Sequence, residues 1–398
     1  MYTNHTRCRA CKSEKLIPVF DLGIQPLSND FVKEGEPHAG YAPLKVLFCE
    51  KCSLAQLSVV VDPAILYNHY SYVTSPSQMM RDHFRNLITD IAKETDGKNV
   101  LEIGSNDGRL LKMMKDGGGY NVVGVDPALN LAAIATENGI QTIRGMFCSA
   151  LASTLSKVDI VIARHVFCHV DDWQDFIAGL ELVSHPDTLI CIEVPYVGDT
   201  LKKCEFDQTY HEHLSYLSIK AMRALLEPSN LRLDRVIRYS IHGGAILLML
   251  RRKDAPIQIV SLGDLEKENI TSQDWAKFSA EARDQIGRLK ATVDCIHAQG
   301  KTVAGLGASA KSTVWISACE FTRKDISFIA DNTPQKQGTF SPGTDIPVVD
   351  EGAVLRDLPD YLIVFCWNFW GRELWEKFAF ARAKGLKFIV PVPKIQVC

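Results

Sequence analysis

The 398-residue chain has no apolar run approaching the roughly 20 residues that cross a bilayer, which excludes an ordinary membrane-spanning helix. Its opening residues, MYTNHTRCRACKSE, lack the apolar centre of a secretory leader, so cytoplasmic residence and no membrane partner are expected. An excess of basic charge is also missing. Lys and Arg number 44 against 47 Asp and Glu, a formal net charge of −3. No global field draws nucleic acid or an anionic membrane, although a local basic pocket stays open. A disulfide framework is lacking too. Of 12 cysteines, four fall in two tight pairs and the rest are scattered, a pattern that favours metal over cross-links in a reducing compartment.

What is there divides into three blocks, as the length leads one to expect. Residues 1–75 hold both cysteine pairs and many loop residues. Residues 76–252 alternate helix and strand patterns, with strands expected at Asn99–Ile103, Asn121–Asp126, Thr142–Arg144, Val158–Ala163 and Thr188–Val194. A hairpin follows, Leu231–Tyr239 with Gly243–Arg251. In residues 253–398 a long polar helix, Ser272–His297, leads to a second alternating region. Its strands are expected at Lys301–Gly305, Ile326–Asp331, Tyr361–Cys366 and Phe388–Val390, with helices starting near Lys311 and Arg372. The fold class is therefore α/β: a small metal-binding module, a central Rossmann-like domain and a C-terminal Rossmann-like domain.

Asn99–Ile103 reads as a buried strand carrying Glu102. Gly104, Ser105, Asn106, Asp107 and Gly108 follow, and a helix begins near Arg109. Glycines there let the backbone approach a ligand, and the helix start offers N–H groups to a carboxylate. The next strand ends in Asp126-Pro127, where an acid can take both hydroxyls of a ribose. The pattern E-x-G-x-x-x-G with that later acid resembles the signature of class I methyltransferases, which bind S-adenosylmethionine. Phe147 after the third strand and Ala163 at the end of the fourth occupy ordinary positions for contacts to such a cofactor.

Cys8-x-x-Cys11 and Cys49-x-x-Cys52 have the paired spacing of a closed four-thiolate Zn²⁺ site. Such a site is structural, so no catalytic role is expected of it. Tyr210-His211-Glu212-His213 follows the fifth strand of the middle block and gathers a phenol, two imidazoles and a carboxylate. Methyl transfer to oxygen or nitrogen needs little beyond proximity. Transfer to carbon needs a proton removed from carbon and the resulting enolate stabilised, and this cluster suits that task. If extended, the segment would put Tyr210 and Glu212 on one face and both histidines on the other. A turn is required to bring Tyr210 and His213 to one substrate. His169, after the fourth strand, is a second candidate at the same sheet edge.

Over nearly its whole length the chain resembles the sugar C-methyltransferases that act on nucleotide-linked 4-keto-deoxysugars. The resemblance runs through Leu22–Leu27, both cysteine pairs, Leu101–Gly108, Tyr210–Tyr216, His242-Gly243-Gly244, Gly305–Lys311, Asp331–Gly338 and Pro342–Thr344. It departs after His242-Gly243-Gly244, where Ala245 and Ile246 replace the family's usual Ser and Arg, and at Ser312-Thr313. The resemblance implies a zinc-binding domain, a cofactor domain and a C-terminal domain, with the substrate in the cleft between them. It implies methylation at C3 of a 4-keto sugar, commonly dTDP-linked. His213 would be the base, Tyr210 would stabilise or protonate the enolate oxygen, and Glu212 and His169 would orient the reacting groups. A monomer or weak dimer is the default expectation.

Two other readings compete. Gly305-x-Gly307-x-x-Ala310, with Asp331 closing the next strand, fits a dinucleotide fingerprint and so a nicotinamide-dependent oxidoreductase. A non-catalytic binding protein with a degenerate cofactor domain is the third. The intact Glu102, Gly104, Gly108, Asp126 and Tyr210–His213 argue against it.

Overall fold

A computed structural model describes residues 1–67, 77–256 and 262–398. A seven-stranded sheet forms its middle. Numbered in chain order, its strands lie 3-2-1-4-5-7-6: Thr142–Arg144, Asn121–Asp126, Asn99–Ile103, Val158–Arg164, Ser184–Pro195, Ala245–Arg252 and Leu231–Tyr239. The first five in chain order run parallel, and Ala245–Arg252 is antiparallel to both its neighbours.

Side-chain alternation divides these strands between two cores. Val100, Ile160, Ile162, Leu189 and Leu247 pack under the Gln78–Ala92 and Arg109–Gly118 helices, with Phe84, Leu87 and Leu111. Leu101, Ile103, Val161, Ile190 and Leu248 pack under the Trp173–Leu182 and Ile219–Leu226 helices, with Trp173, Phe176 and Met222. Burial on both faces is why these strands read as continuous apolar runs. The reversal of strand order between the first and fourth strands opens a crevice at their carboxyl ends, the expected place for a ligand.

The N-terminal block is more ordered than its composition suggests. Leu16–Pro26 and Tyr41–Cys49 are long antiparallel strands with bulges near Pro18 and between Asp21 and Ile24. Pro18, Pro26 and Pro43 lie inside them, and proline within a run argues against a strand when only sequence is considered. Ala55–Leu57 extends this sheet. Its fourth strand, Ser215–Tyr216, comes from the middle of the chain, immediately after the Tyr210–His213 cluster. The boundary expected between residues 75 and 76 lies outside the described residues.

The helix Ser272–Ala298 starts at a capping box of Thr271 and Asp274. It joins the N-terminal sheet to the C-terminal domain in one core; Phe278 meets Phe20 edge-on, with ring centroids 5.1 Å apart. The C-terminal sheet has six strands, ordered Val348–Val349, Ile329–Ala330, Val303–Leu306, Tyr361–Val364, Lys387–Val390 and Gln396–Val397. All pairings are parallel except the last. The outermost two were not expected, since two-residue strands leave no periodicity to read. Among the described residues no helix is long and apolar enough to cross a membrane.

Candidate active site

One cavity of about 300 Å³ opens at the crevice and receives residues from all three blocks. Its first end is built by the glycine turn. Gly104 has φ +67°, and a Cβ there would stand 2.2 Å from the Val166 side chain, so only glycine fits. Asn106 is also left-handed, with φ +53°, and its N–H donates to Asp126 at 2.8 Å. The other Asp126 oxygen accepts from the Ala128 N–H at 2.9 Å. This carboxylate is therefore fixed in place while it lines the cavity, and burial raises its pKa. Pro127, Gly145, Met146 and Phe147 continue the wall, with Phe147 set edge-on to Phe176.

Other residues of this motif stand behind the wall. Glu102 is fully buried; one oxygen accepts from Arg164 Nε at 3.0 Å and Nη2 at 2.9 Å, while Arg164 itself reaches the cavity. Burial pushes Glu102 up to about 7 against the pull of Arg164. Ser105 is buried, Gly108 packs against Ala135 and Ile140 at the start of the Arg109–Gly118 helix, and Ala163 is a buried strand residue. None of these four lines the cavity.

The second end carries the imidazoles. Tyr210 to His213 is a turn, closed by the His213 N–H donating to the Tyr210 carbonyl at 2.9 Å. The alternation expected for an extended segment therefore does not hold. The turn puts Tyr210 and His213 together on the cavity, with Tyr210 Oη 2.6 Å from His213 Nε2. His213 Nδ1 lies 2.8 Å from the Gln208 carbonyl, which can only accept. Nδ1 therefore carries the proton, Nε2 holds the lone pair, and the Tyr210 hydroxyl donates to it. Burial keeps His213 well below the usual histidine range, hence neutral. His169 stands edge-on to His213 with centroids 5.1 Å apart, its Nδ1 is 3.1 Å from the Tyr67 hydroxyl, and burial lowers it to about 3.

His211 and Glu212 turn away from the cavity. His211 Nε2 meets the Ala42 carbonyl at 3.2 Å. Glu212 accepts from Asn29 Nδ2 at 2.8 Å, and it is Asn29 that lines the cavity.

The third wall comes from the C-terminal domain. Ser309 caps the helix Ala310–Ala318, and Ser309, Ala310, Lys311 and Lys336 face the same cavity. Lys311 Nζ lies 4.6 Å from the Trp367 ring centre, and Lys336 Nζ donates to the Ala308 carbonyl at 2.6 Å. Gly305 and Gly307 admit Phe365 and Cys366, which a Cβ would meet at 2.9 Å and 2.7 Å. Asp331 caps the Ala308 and Thr333 N–H groups, both at 2.7 Å. This glycine turn thus serves backbone packing and brings a helix start to the shared cavity. Arg164 and His165 were expected only as ordinary strand-end positions beside a cofactor, and His242, Lys311 and Lys336 only as parts of the resembling motifs, none with a role of its own. An Arg-His pair closing the fourth strand was their one local signal; the rest is tertiary.

The four thiols form a separate cluster. Their sulfurs all lie within 4.8 Å of one another, with Cys8 to Cys52 at 3.4 Å and Cys11 to Cys49 at 3.6 Å. Neighbouring thiolates on a tetrahedral zinc with bonds of about 2.3 Å stand at nearly this spacing, so the donor set fits the ion. The two pairs fold alike. Lys12 and Ser53, each just after a pair, are left-handed and donate back to the carbonyls of Cys8 and Cys49.

Over 98% of its length the chain is 32% identical to the C-methyltransferase NovU of Streptomyces niveus, of which 96% is covered. The chain belongs to the C-methyltransferase family. Three family profiles divide this C-methyltransferase. Residues 8–67 match "Putative zinc binding domain", 77–236 match "Methyltransferase domain", and 240–393 match "C-methyltransferase C-terminal domain". Solved structures to which part of the chain is similar include a SAM dependent methyltransferase from Archaeoglobus fulgidus. It is 14% identical, covering 42% of this chain and 93% of that one, with a TM-score of 0.35. Magnesium protoporphyrin IX methyltransferase from Synechocystis PCC 6803, with bound SAH, is 17% identical over 44% of this chain and 82% of its own, with a TM-score of 0.34. The enzyme is an S-adenosylmethionine-dependent methyltransferase, and zinc is its second cofactor.

Proposed function

We propose that the enzyme methylates C3 of a nucleotide-linked 4-keto-deoxysugar, with dTDP as the nucleotide, through an enolate. The observation that carries this is the Tyr210–His213 pair, a neutral imidazole with its lone pair turned to a phenol, on the cavity that Asp126 and Phe147 also line. Asp126 holds the ribose of the methyl donor, the Gly104–Asn106 backbone borders it, and Met146 and Phe147 flank the adenine. Ser105, Gly108 and Ala163 act from behind by shaping the turn. S-adenosylmethionine, when bound, supplies the electrophilic methyl group.

The remaining steps belong to the chain. The C4 carbonyl makes the C3 proton acidic. Tyr210 turns its hydroxyl from His213 to the carbonyl oxygen and so frees Nε2. His213 takes the C3 proton while Tyr210 stabilises the enolate oxygen. His169, held by Tyr67, packs beside His213 and orients it. Glu212 fixes Asn29 at the cavity rim. The enolate carbon would then take the methyl group as its bond to sulfur breaks and the donor leaves as the neutral thioether, and the proton on His213 leaves to solvent.

Lys311, Lys336 and the capped helix start beside them suit the diphosphate. Burial lowers both lysines, and an anion brought against them favours their charged form. The four cysteines hold a structural zinc. The boundaries proposed for the three domains are 1–75, 76–252 and 253–398.

The test is a panel of nucleotide-linked 4-keto sugars assayed for methyl transfer and for deuterium uptake from D₂O at the carbon beside the carbonyl. Uptake at C3 without methyl donor is expected, and absence of uptake with every member would sink the enolate step. A second expectation concerns the donor alone. Asp126→Ala removes two ribose hydrogen bonds to a charged acceptor and should raise the S-adenosylmethionine Kd by about 10- to 100-fold in calorimetry. An unchanged Kd would remove Asp126 from the site.

A further inference from the structure

The fourth strand of the central sheet ends beside a buried carboxylate that the reaction above does not use. Glu193, fully buried in the neighbouring strand, stands between two histidines. His83 Nε2 approaches its two oxygens at 2.9 and 3.1 Å, and His165 Nε2 stands 2.8 Å from Oε1. The backbone N–H of His165 also donates to the Glu193 carbonyl at 2.7 Å. His165 is left-handed, with φ +52°, a conformation that non-glycine residues hold only when their surroundings impose it.

The two histidines differ in where they face. His83 is on the buried face of the Gln78–Ala92 helix, whereas His165 lines the cavity, with its side chain 22% exposed. Its Nε2 stands at ion-pairing distance from Glu193, and among the described residues its Nδ1 has no protein partner. A carboxylate sealed in the core needs a compensating positive charge. The nearby Arg164 is committed to Glu102, so the compensating proton must sit on an imidazole. Burial works to raise Glu193, but the two histidines outweigh it and hold the carboxylate well below its usual range. The His242 ring stands perpendicular to His165, with centroids 5.0 Å apart, and burial keeps His242 neutral.

We propose that His165 is a further catalytic residue, an imidazolium held by Glu193 whose Nδ1–H donates to the substrate's carbonyl oxygen as the enolate forms. This rests on the enolate reading. The proton stays shared between Nδ1 and oxygen while His213 takes the carbon-bound proton. It returns wholly to His165 when the carbonyl re-forms and carbon takes the methyl group. No net proton passes through His165; the one released leaves from His213. Glu193 is a positioning residue, because it acts only through His165. The titratable groups around His165 are Glu193, with His83 on its other side, and the His242, His169 and His213 rings.

The experiment uses the full-length zinc-loaded enzyme and a dTDP-linked 4-keto-6-deoxyhexose. His165→Asn should lower both deuterium uptake and kcat by about 10²- to 10³-fold, the usual cost of losing a donor at such an oxygen. The S-adenosylmethionine Kd should stay within about threefold of wild type, which also certifies the fold. Glu193→Gln should shift the alkaline limb of the kcat profile to lower pH, since the neutral amide no longer supports the imidazolium; a purely structural role would leave that limb in place. Uptake and kcat close to wild type in His165→Asn overturn the assignment, as does an unmoved limb in Glu193→Gln. Uptake absent from the wild-type enzyme overturns it together with the enolate reading, so the two failures are told apart.

Discussion

Replacing His213 by alanine is expected to lower methyl transfer by about 10³-fold, within the range for loss of a positioned general base. The S-adenosylmethionine Kd should hardly change, because His213 makes none of the contacts that hold Asp126 in place. The geometry makes the expectation sharp. His213 is buried, its Nδ1 proton is tied to the Gln208 carbonyl, and no rotation of the ring is needed to present Nε2. Tyr210→Phe separates the two halves of the pair. It leaves His213 Nε2 free while removing the hydroxyl that stabilises the enolate oxygen, so proton removal should slow at least as much as methyl transfer. Deuterium uptake by single-turnover NMR reads the first, and kcat reads the second. Because His213 protonates only well below pH 6.5, the kcat/KM plateau should extend through pH 6 before its acid limb falls. Full turnover in His213→Ala would remove it as the base.

How much of this was legible beforehand depended on the range of the interaction. The strand Asn99–Ile103, its glycine turn and Asp126 could be read because an apolar run, two glycines and a terminal acid are local signals. The paired cysteines carried their spacing in the same way. The Tyr210–His213 cluster was visible, but which members share a face was not. Alternation applied only if the segment were extended; the turn required to bring Tyr210 and His213 together is the conformation found, its closing hydrogen bond overriding the period of a strand. Glu102 was legible as a motif residue and not as the partner of Arg164, which is 62 positions away. His165, Glu193 and His83 come from three separate elements, and no spacing links them. The N-terminal sheet was obscured by prolines inside its strands, and by a fourth strand borrowed from beyond residue 200.

That borrowed strand changes what zinc is expected to do. Arg9 lies inside the first cysteine pair and is 1% exposed. Its Nε donates to Asp171 at 3.1 Å, and its Nη1 reaches the carbonyl of Leu214 at 3.2 Å. Asp171 is two residues beyond His169, and Leu214 is the residue after His213. The Leu57 N–H donates to the same Leu214 carbonyl at 2.9 Å. The metal knuckle thus holds both imidazole-bearing segments through one guanidinium. Arg9→Lys keeps the charge but cannot span both acceptors with a planar fork. It should retain one zinc per chain and normal S-adenosylmethionine affinity, yet lose about 10²-fold in kcat, as small misplacements of reacting groups do. Cys49→Ser should lose zinc and kcat together. Zinc content by metal analysis, Kd by calorimetry and kcat on the same samples separate these cases. An Arg9→Lys enzyme with wild-type kcat would confine zinc to folding. A lowered kcat with zinc and cofactor affinity intact would make the zinc module part of how His169 and His213 are aimed, although none of the four paired cysteines lines the cavity.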